Sequence, residues 1–321
     1  MTTPRLRKPR FKRCSIFPSV SLTERDVRIL ALVDRHRFIQ SHHLTMLLAG
    51  SRQHLIRRLG RLYHAGFLER PSCQLLLRHR IASSFVYCLT HKGQSVLQQH
   101  SIARYATVPR LDATSAALSL AHSIRITDVV VALSTAATAH SVGFLSHHEW
   151  RRVSSTADWK KLSQLRWTIS ISNDSVTVKT TVIPDAAFAL QSPGAQPSYF
   201  VLEVDRGTMP VTRGDFSQSS FLRKIIAYKE TRRTGALWKR FQIPGFRVLI
   251  VAESARRLAS LQAVTAGCFQ RGESEMFLFA CTSQLIAMAN TFACTWQTCS
   301  GHSVVLSQTL ATIQSKADFP H

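Results

Sequence analysis

The sequence predicts a chain of two parts, α+β in the first and α/β in the second. A three-helix unit closed by a β-hairpin comes first, and a larger unit on a central mixed sheet follows. Three observations predict this. Apolar residues recur at helical spacing from Val27 to Tyr63 and then give way to short β-prone runs. Beyond residue 118, helical and strand patterns succeed one another in the order of a layered α/β sandwich. The length, 321 residues, suits two domains of roughly 100 to 200 residues each.

Charge narrows the function classes. Lys and Arg number 41 against 18 Asp and Glu, a formal +23, while 45% of residues are apolar. That apolar share builds cores, so disorder is excluded as the whole account, and a neutral metabolic enzyme is no longer the default. A polyanionic partner fits the excess, and nucleic acid is the commonest one that needs a folded reader. Residues 1–13 hold six basic groups and no acid, and the first hundred residues carry +14 of the +23.

Taken in order, residues 1–20 lack periodicity and read as a flexible basic arm. Thr23 caps a first helix, with Val27, Leu30 and Ala31 inward. A second helix spans about Ser41 to Ala49, with Leu44, Leu47 and Leu48 inward. Gly50 ends it, Ser51 caps a third helix running to His64, and Gly66 stops that one. Phe67 to Leu77 and Phe85 to Leu89 are β-prone runs around a tip holding Arg78, His79 and Arg80. Three helices closed by a hairpin make the winged variant of helix-turn-helix, here over residues 21–100.

On the third helix, Leu55, Ile56, Leu59, Leu62 and Tyr63 fall on one face. Gln53, His54, Arg57, Arg61 and His64 fall on the other, with Arg58 at the flank. No acid occurs between Ser51 and Leu68, whereas a merely solvated face usually mixes signs. This face suits a major groove of double-stranded DNA. Gln53, Arg57 and Arg61 are expected at base edges, with His54 on the same face. Arg52 and Arg58 are expected on phosphate, Arg78 and Arg80 on the wing.

Residues 101–117 read as a linker with Pro109, and 118–315 as the second domain, with 316–321 as a tail. Leu118 to Ala137 is helical and Gly143 to Arg151 a short strand. Residues 152–178 are polar and irregular. Thr181 to Leu190 and Ser198 to Asp205 are strands separated by a Pro193-Gly194 turn. A helix from Phe221 to Arg232, a buried strand from Phe246 to Ala252 and a helix from Ala255 to Ala266 follow. From Met276 to Ser315 no residue is charged, but polar residues interrupt the run before it reaches spanning length, so strand, helix and strand are expected and no membrane.

The two central strands end in acids, Pro184-Asp185 on one and Glu203-Val204-Asp205 on the next. If the strands are neighbours, Asp185 and Glu203 converge on one edge as hard oxygen ligands for Mg or Mn. A metal there activates water against a phosphodiester. Asp205 supports the site, and Lys224, with Tyr228 on the same helix, supports the nucleophile or the leaving group. The bland alternative is that strand-end acids form turns.

Taken together these runs resemble the replication-relaxation family of plasmid and mobile-element proteins. The resemblance rests on Leu22 to Asp26, Arg57-Arg58-Leu59-x-Arg61-Leu62-Tyr63-x-Ala65-Gly66-Phe67-Leu68 and Val86-Tyr87-x-Leu89-Thr90-x-Lys92-Gly93. His122, Ile183-Pro184-Asp185, Phe200-x-x-Glu203-Val204-Asp205-Arg206-Gly207-Thr208, Lys224 to Tyr228, Val248 to Val251 and Phe277 to Trp296 extend it. It implies a role in replication, relaxation or mobilisation of DNA, with relaxase or replication proteins as partners. The second half also resembles the restriction-endonuclease-like fold, whose pattern is Pro-Asp followed by Asp/Glu-x-Lys. Here Asp205 stands where that Lys belongs. Either Lys224 substitutes from the helix, or the protein is a non-enzymatic regulator or scaffold with a dead nuclease-like domain.

Other patterns carry less. Seven cysteines without a Cys-x-x-Cys pair favour reduced cytoplasmic thiols over a disulfide framework or zinc ribbon. No signal-peptide pattern opens the chain. Cys281, Cys294, Cys299 and His302 are irregularly spaced and read as core. The adjacent pairs His42-His43 and His147-His148 are expected to diverge and so not to ligate a metal jointly. Neither a phosphate-cradling Gly loop nor a Gly-x-Ser-x-Gly elbow is present.

Overall fold

The computed structural model describes residues 10–14, 19–77, 84–102, 113–150, 165–173, 176–269, 273–287 and 291–306. It is a mixed α and β structure of two compact units, residues 1–131 and 132–321. The division falls within a long helix, Ala113–Ala139, which begins inside the stretch expected to be a linker.

The first unit opens with α1 (Glu24–His36), β1 (Ile39–Gln40), α2 (Ser41–Leu47) and α3 (Arg52–His64). Next come β2 (Leu68–Glu69), a 3-10 turn (Ser72–Leu77), β3 (Val86–Leu89) and α4 (His91–Gln99), and α5 (Ala113–Ala139) follows. Each start has a local cause. At α1 the Thr23 side chain accepts from Asp26 N–H while the Asp26 carboxylate takes the Thr23 N–H at 2.7 Å, a reciprocal cap. Ser51 caps α3 as expected, and Gly66, at φ +82°, follows its end in the left-handed region. Ile29, Leu30, Val33, Leu44, Leu59, Leu62 and Leu97 are buried together in one core.

The sheet of this unit has three strands in the order β1-β3-β2, all antiparallel. The expected strand Phe67 to Leu77 is therefore wrong beyond Glu69. Pro71 has no N–H to give a ladder, and the chain turns into the 3-10 segment. The Gln74 amide then substitutes for a strand partner, accepting from Val86 N–H at 2.9 Å and donating to Val86 C=O at 3.3 Å. The expected arm is not structureless where described. Arg13 donates to the carbonyls of Tyr63 and Leu68 and bonds Glu69 at 2.5 Å, and Phe11 packs edge-on to Phe85.

Ala116–Ala139 of α5 is long and apolar enough, by length and composition, to cross a membrane. In the structure Leu120, Ile124, Val129 and Leu133 are buried, and its middle carries Arg125 and Asp128, 3.2 Å apart.

The second unit is built on a seven-stranded mixed sheet in the order β12-β11-β10-β9-β8-β7-β4. Its strands are β4 (Gly143–Ser146), β7 (Ala186–Gln191), β8 (Ser198–Asp205), β9 (Phe246–Ala252), β10 (Phe277–Cys281), β11 (Thr295–Gln297) and β12 (Ser303–Val305). β8, β9 and β10 run parallel and the outer pairings are antiparallel. Residues of both parities on β7 to β10 are buried, such as Val201 and Phe200 or Ile250 and Leu249, so both sheet faces are covered. One face packs on α6 (Phe221–Arg233), α7 (Ala236–Phe241) and α8 (Ala255–Ala266) through Ile225, Tyr228, Leu237 and Leu261. A short α9 (Thr282–Ala287) follows β10.

Two expectations change here. Beginning within the stretch 152–178 read as irregular and running past its end, β5 (Trp167–Asn173) and β6 (Val176–Val182) form an antiparallel hairpin. Trp167, Ile169 and Ile171 alternate with hydroxyl residues at strand period, a signal masked by the Ser/Thr-rich composition. The expected single strand Thr181 to Leu190 breaks at Ile183 to Asp185, because Pro184 cannot donate to a ladder.

Candidate functional site

The basic face of α3 forms largely as its spacing implies. Arg52, Gln53, His54, Arg57 and Arg61 are exposed, and the opposite side buries Leu55, Leu59, Leu62 and Tyr63. Two residues depart from the expected faces. Ile56 is 40% exposed and lies on the outer side, whereas His64 is buried and its Nδ1 accepts from Cys14 N–H at 3.3 Å. Arg78 and Arg80 lie outside the described residues.

Arg58 is engaged from within. Its Nε donates to Asp26 at 2.6 Å, a second nitrogen bonds the same carboxylate, and it reaches the Ser21 carbonyl at 2.8 Å. Burial works to raise the Asp26 carboxyl, but its bonds to Arg58 and Thr23 outweigh that and hold it below the ordinary aspartate value. The same carboxylate caps α1, so one buried acid fixes the start of that helix and anchors α3. Arg70, also buried, donates to Tyr87 Oη at 3.0 Å and lies 4.4 Å from the ring centres of Tyr63 and Phe85.

In the second unit, the expected convergence of acids is present. β7 and β8 pair with Ala186 opposite Leu202, which sets Asp185 opposite Glu203 where the strands begin to part. Asp185 donates its N–H to Leu202 C=O at 3.0 Å and accepts from Val204 N–H at 2.8 Å through Oδ2. Glu203 is 5% exposed. Lys224 Nζ donates to its Oε2 at 2.6 Å and Tyr228 O–H to its Oε1 at 2.5 Å. Lys224 and Tyr228 are four apart on α6, so one helix face presents both.

Burial pushes the Glu203 carboxyl up to about 7, with Asp185 adding to the rise and Lys224 opposing it. Burial pulls the Lys224 ammonium down, yet Glu203, Asp185 and Asp205 outweigh it and keep its pKa above the ordinary lysine value. Asp205 acts on Lys224 through its charge and makes its own bonds elsewhere. Arg257 grips it with two bonds of 2.8 and 2.9 Å, and Gly207 N–H donates to it at 2.7 Å. What the site assembles is a buried carboxylate, a second carboxylate opposite it on the neighbouring strand, and a lysine bonded to the first.

The two histidine pairs do not diverge as expected. The rings of His42 and His43 lie 4.0 Å apart, and those of His147 and His148 3.6 Å apart. His43 also reaches Asp128, a partner 85 residues away that inspection of neighbours in sequence misses.

Among known families, residues 30–244 match the one described as replication-relaxation, well over half of the chain. The chain belongs to the replication-relaxation family. The match runs from α1 through α7 and so takes in the basic helix α3 and the cluster of Asp185, Glu203 and Lys224. Membership points to a role in replication or relaxation. No curated protein and no solved structure matches the chain.

Proposed function

We propose that this replication-relaxation protein is a cytoplasmic DNA-binding protein of a plasmid or integrated element, and that α3 is its reading helix. The acid-free, exposed row of Arg52, Gln53, His54, Arg57 and Arg61 carries this reading. In it, α1 to α4 and their three-stranded sheet act as a winged helix, with Gln53, Arg57 and Arg61 at base edges and Arg52 on phosphate. Arg58 serves from behind by holding α3 to α1. Every phosphate charge that a side chain neutralises adds about 0.9 to the salt slope of binding, so Arg52→Ala should flatten the slope by about one unit, while Arg57→Ala with Arg61→Ala should weaken duplex binding and relax its base preference. An unchanged slope places the DNA-binding surface elsewhere.

A second reading, metal-dependent cleavage, is favoured by the juxtaposition of Asp185, Glu203 and Lys224. Hard oxygens on adjacent strands suit Mg or Mn, and Asp185 and Glu203 would hold the ion. Such an ion supplies an activated water and a Lewis acid for the phosphodiester. Lys224, bonded to Glu203, would supply beside the phosphate the positive charge that the Asp/Glu-x-Lys pattern draws from the position held here by Asp205. Supercoiled plasmid with Mg or Mn should become nicked or linear, and Asp185→Ala or Glu203→Ala should stop that while sparing DNA binding. If intact protein cuts nothing in either metal, Lys224 is a permanent counter-ion and the second unit is a scaffold; the binding reading stands independently.

A further inference from the structure

We propose that His42, His43 and Asp128 form a site for a divalent transition-metal ion of the zinc class, joining α2 to α5 inside the first unit. One ring nitrogen of each histidine and a carboxylate oxygen of Asp128 all lie within 4.8 Å of one another. His43 Nε2 and Asp128 Oδ1 are 2.8 Å apart. Bonds of about 2.0 to 2.2 Å to a tetrahedral ion set its ligand atoms roughly 3.3 Å apart. One edge of the site is therefore already closed, and the other two need side-chain shifts of about 1.5 Å at most.

The second observation is an orphan. His42 Nδ1 is buried and has no hydrogen-bond partner, although a buried ring nitrogen normally finds one. An ion gives this histidine a role that its neighbours do not. Two imidazoles and one carboxylate match zinc, cobalt or nickel and leave a fourth position for water, whereas Mg and Ca prefer oxygen throughout. Arg125 holds the other oxygen of Asp128 at 3.2 Å and so orients the carboxylate from outside the ligand set.

The competitor for the site is a proton. Gln40 N–H donates to His43 Nδ1 at 3.3 Å, which puts the ring proton on Nε2, where it bonds Asp128. Coordination through Nε2 moves that proton to Nδ1 and gives up the long bond from Gln40. The ring stays neutral and no proton leaves the protein. Because α2 packs on α3, an ion held here stiffens the support of the basic helix. The site does not depend on α3 touching DNA.

Cobalt is the probe, since a tetrahedral Co²⁺ ion absorbs in the visible. The full chain, stripped with chelator, should develop that band at one equivalent of Co²⁺ and lose it to Zn²⁺. His42→Ala should weaken binding at least tenfold; His42 is half-buried and its ring caps nothing, and circular dichroism checks that the variant stays folded. Asp128→Asn is the second variant. Zn²⁺ should raise the melting temperature of the wild type and not that of His42→Ala. Equal binding by wild type and His42→Ala overturns the proposal, as does a sulfur-to-cobalt charge-transfer band, which places the ion on cysteines.

Discussion

Arg57 and Arg58 are neighbours in sequence and opposites in role. Arg57 is exposed, while Arg58 neutralises an acid that is 1% exposed. Removing one member of a buried pair leaves the other uncompensated, typically at about 3 to 5 kcal/mol. Arg58→Ala should therefore destabilise the first unit by about 3 kcal/mol in denaturant unfolding, whereas Arg57→Ala should stay within about 0.5 kcal/mol. Equal losses would show that Asp26 does not need its partner. Spacing alone put Arg57 on the basic face and Arg58 at its flank as a phosphate contact, because the helical wheel shows a face but not the partner 32 residues earlier that claims one of them. Glu203 makes a pH-dependent case. Its folded pKa lies near 7, above the ordinary glutamate value, so the folded state holds its proton more tightly than the unfolded chain does. Stability from this group is full below the unfolded pKa and is lost as pH rises through about 7. In chelator, the stability of wild type relative to Glu203→Gln should fall between pH 5 and pH 8; a flat difference would mean that Lys224 cancels the burial.

At the scale of elements, close approach of α4 to Phe67, just before β2, and to the end of β3 depends on Gly93. A Cβ there would sit 2.4 Å from Phe67 O and 2.9 Å from Leu89 Cδ2, and the backbone oxygen cannot yield as a flexible side chain would. Gly93→Ala should cost about 2 kcal/mol by overpacking, read as a lower midpoint in thermal unfolding of the full chain. Helices α1 and α3 were legible through the caps Thr23 and Ser51 as well as apolar spacing; α6 and α8 were legible without the caps that the structure adds, Ser220 and Ser254, each of which accepts from a backbone N–H three residues on. Strand edges were less so. β1 is two residues long and carries no period to read, and Gln74 imitates a strand by side chain alone. The hairpin of β5 and β6 hid its alternation behind serine and threonine.

At the scale of the molecule, the +23 does not all face outward toward a polyanion. Arg13, Arg58 and Arg70 spend their charge inside the first unit, on Glu69, on Asp26 and on a cage of aromatic rings. What remains exposed on α3 is a smaller, better-defined row. The candidate site of the second unit was legible as a pair of strand-end acids, since adjacency of β7 and β8 follows from a short turn. The Arg257 grip on Asp205 was not, because it joins residues 52 apart through the fold. The Asp26 carboxylate ties these scales together. It closes the first turn of α1 and anchors α3, so positions 26 and 58 behave as one inherited unit: in a library randomised at both, folded survivors should keep a matched pair or lose both charges together, and mixed genotypes should be the rarest.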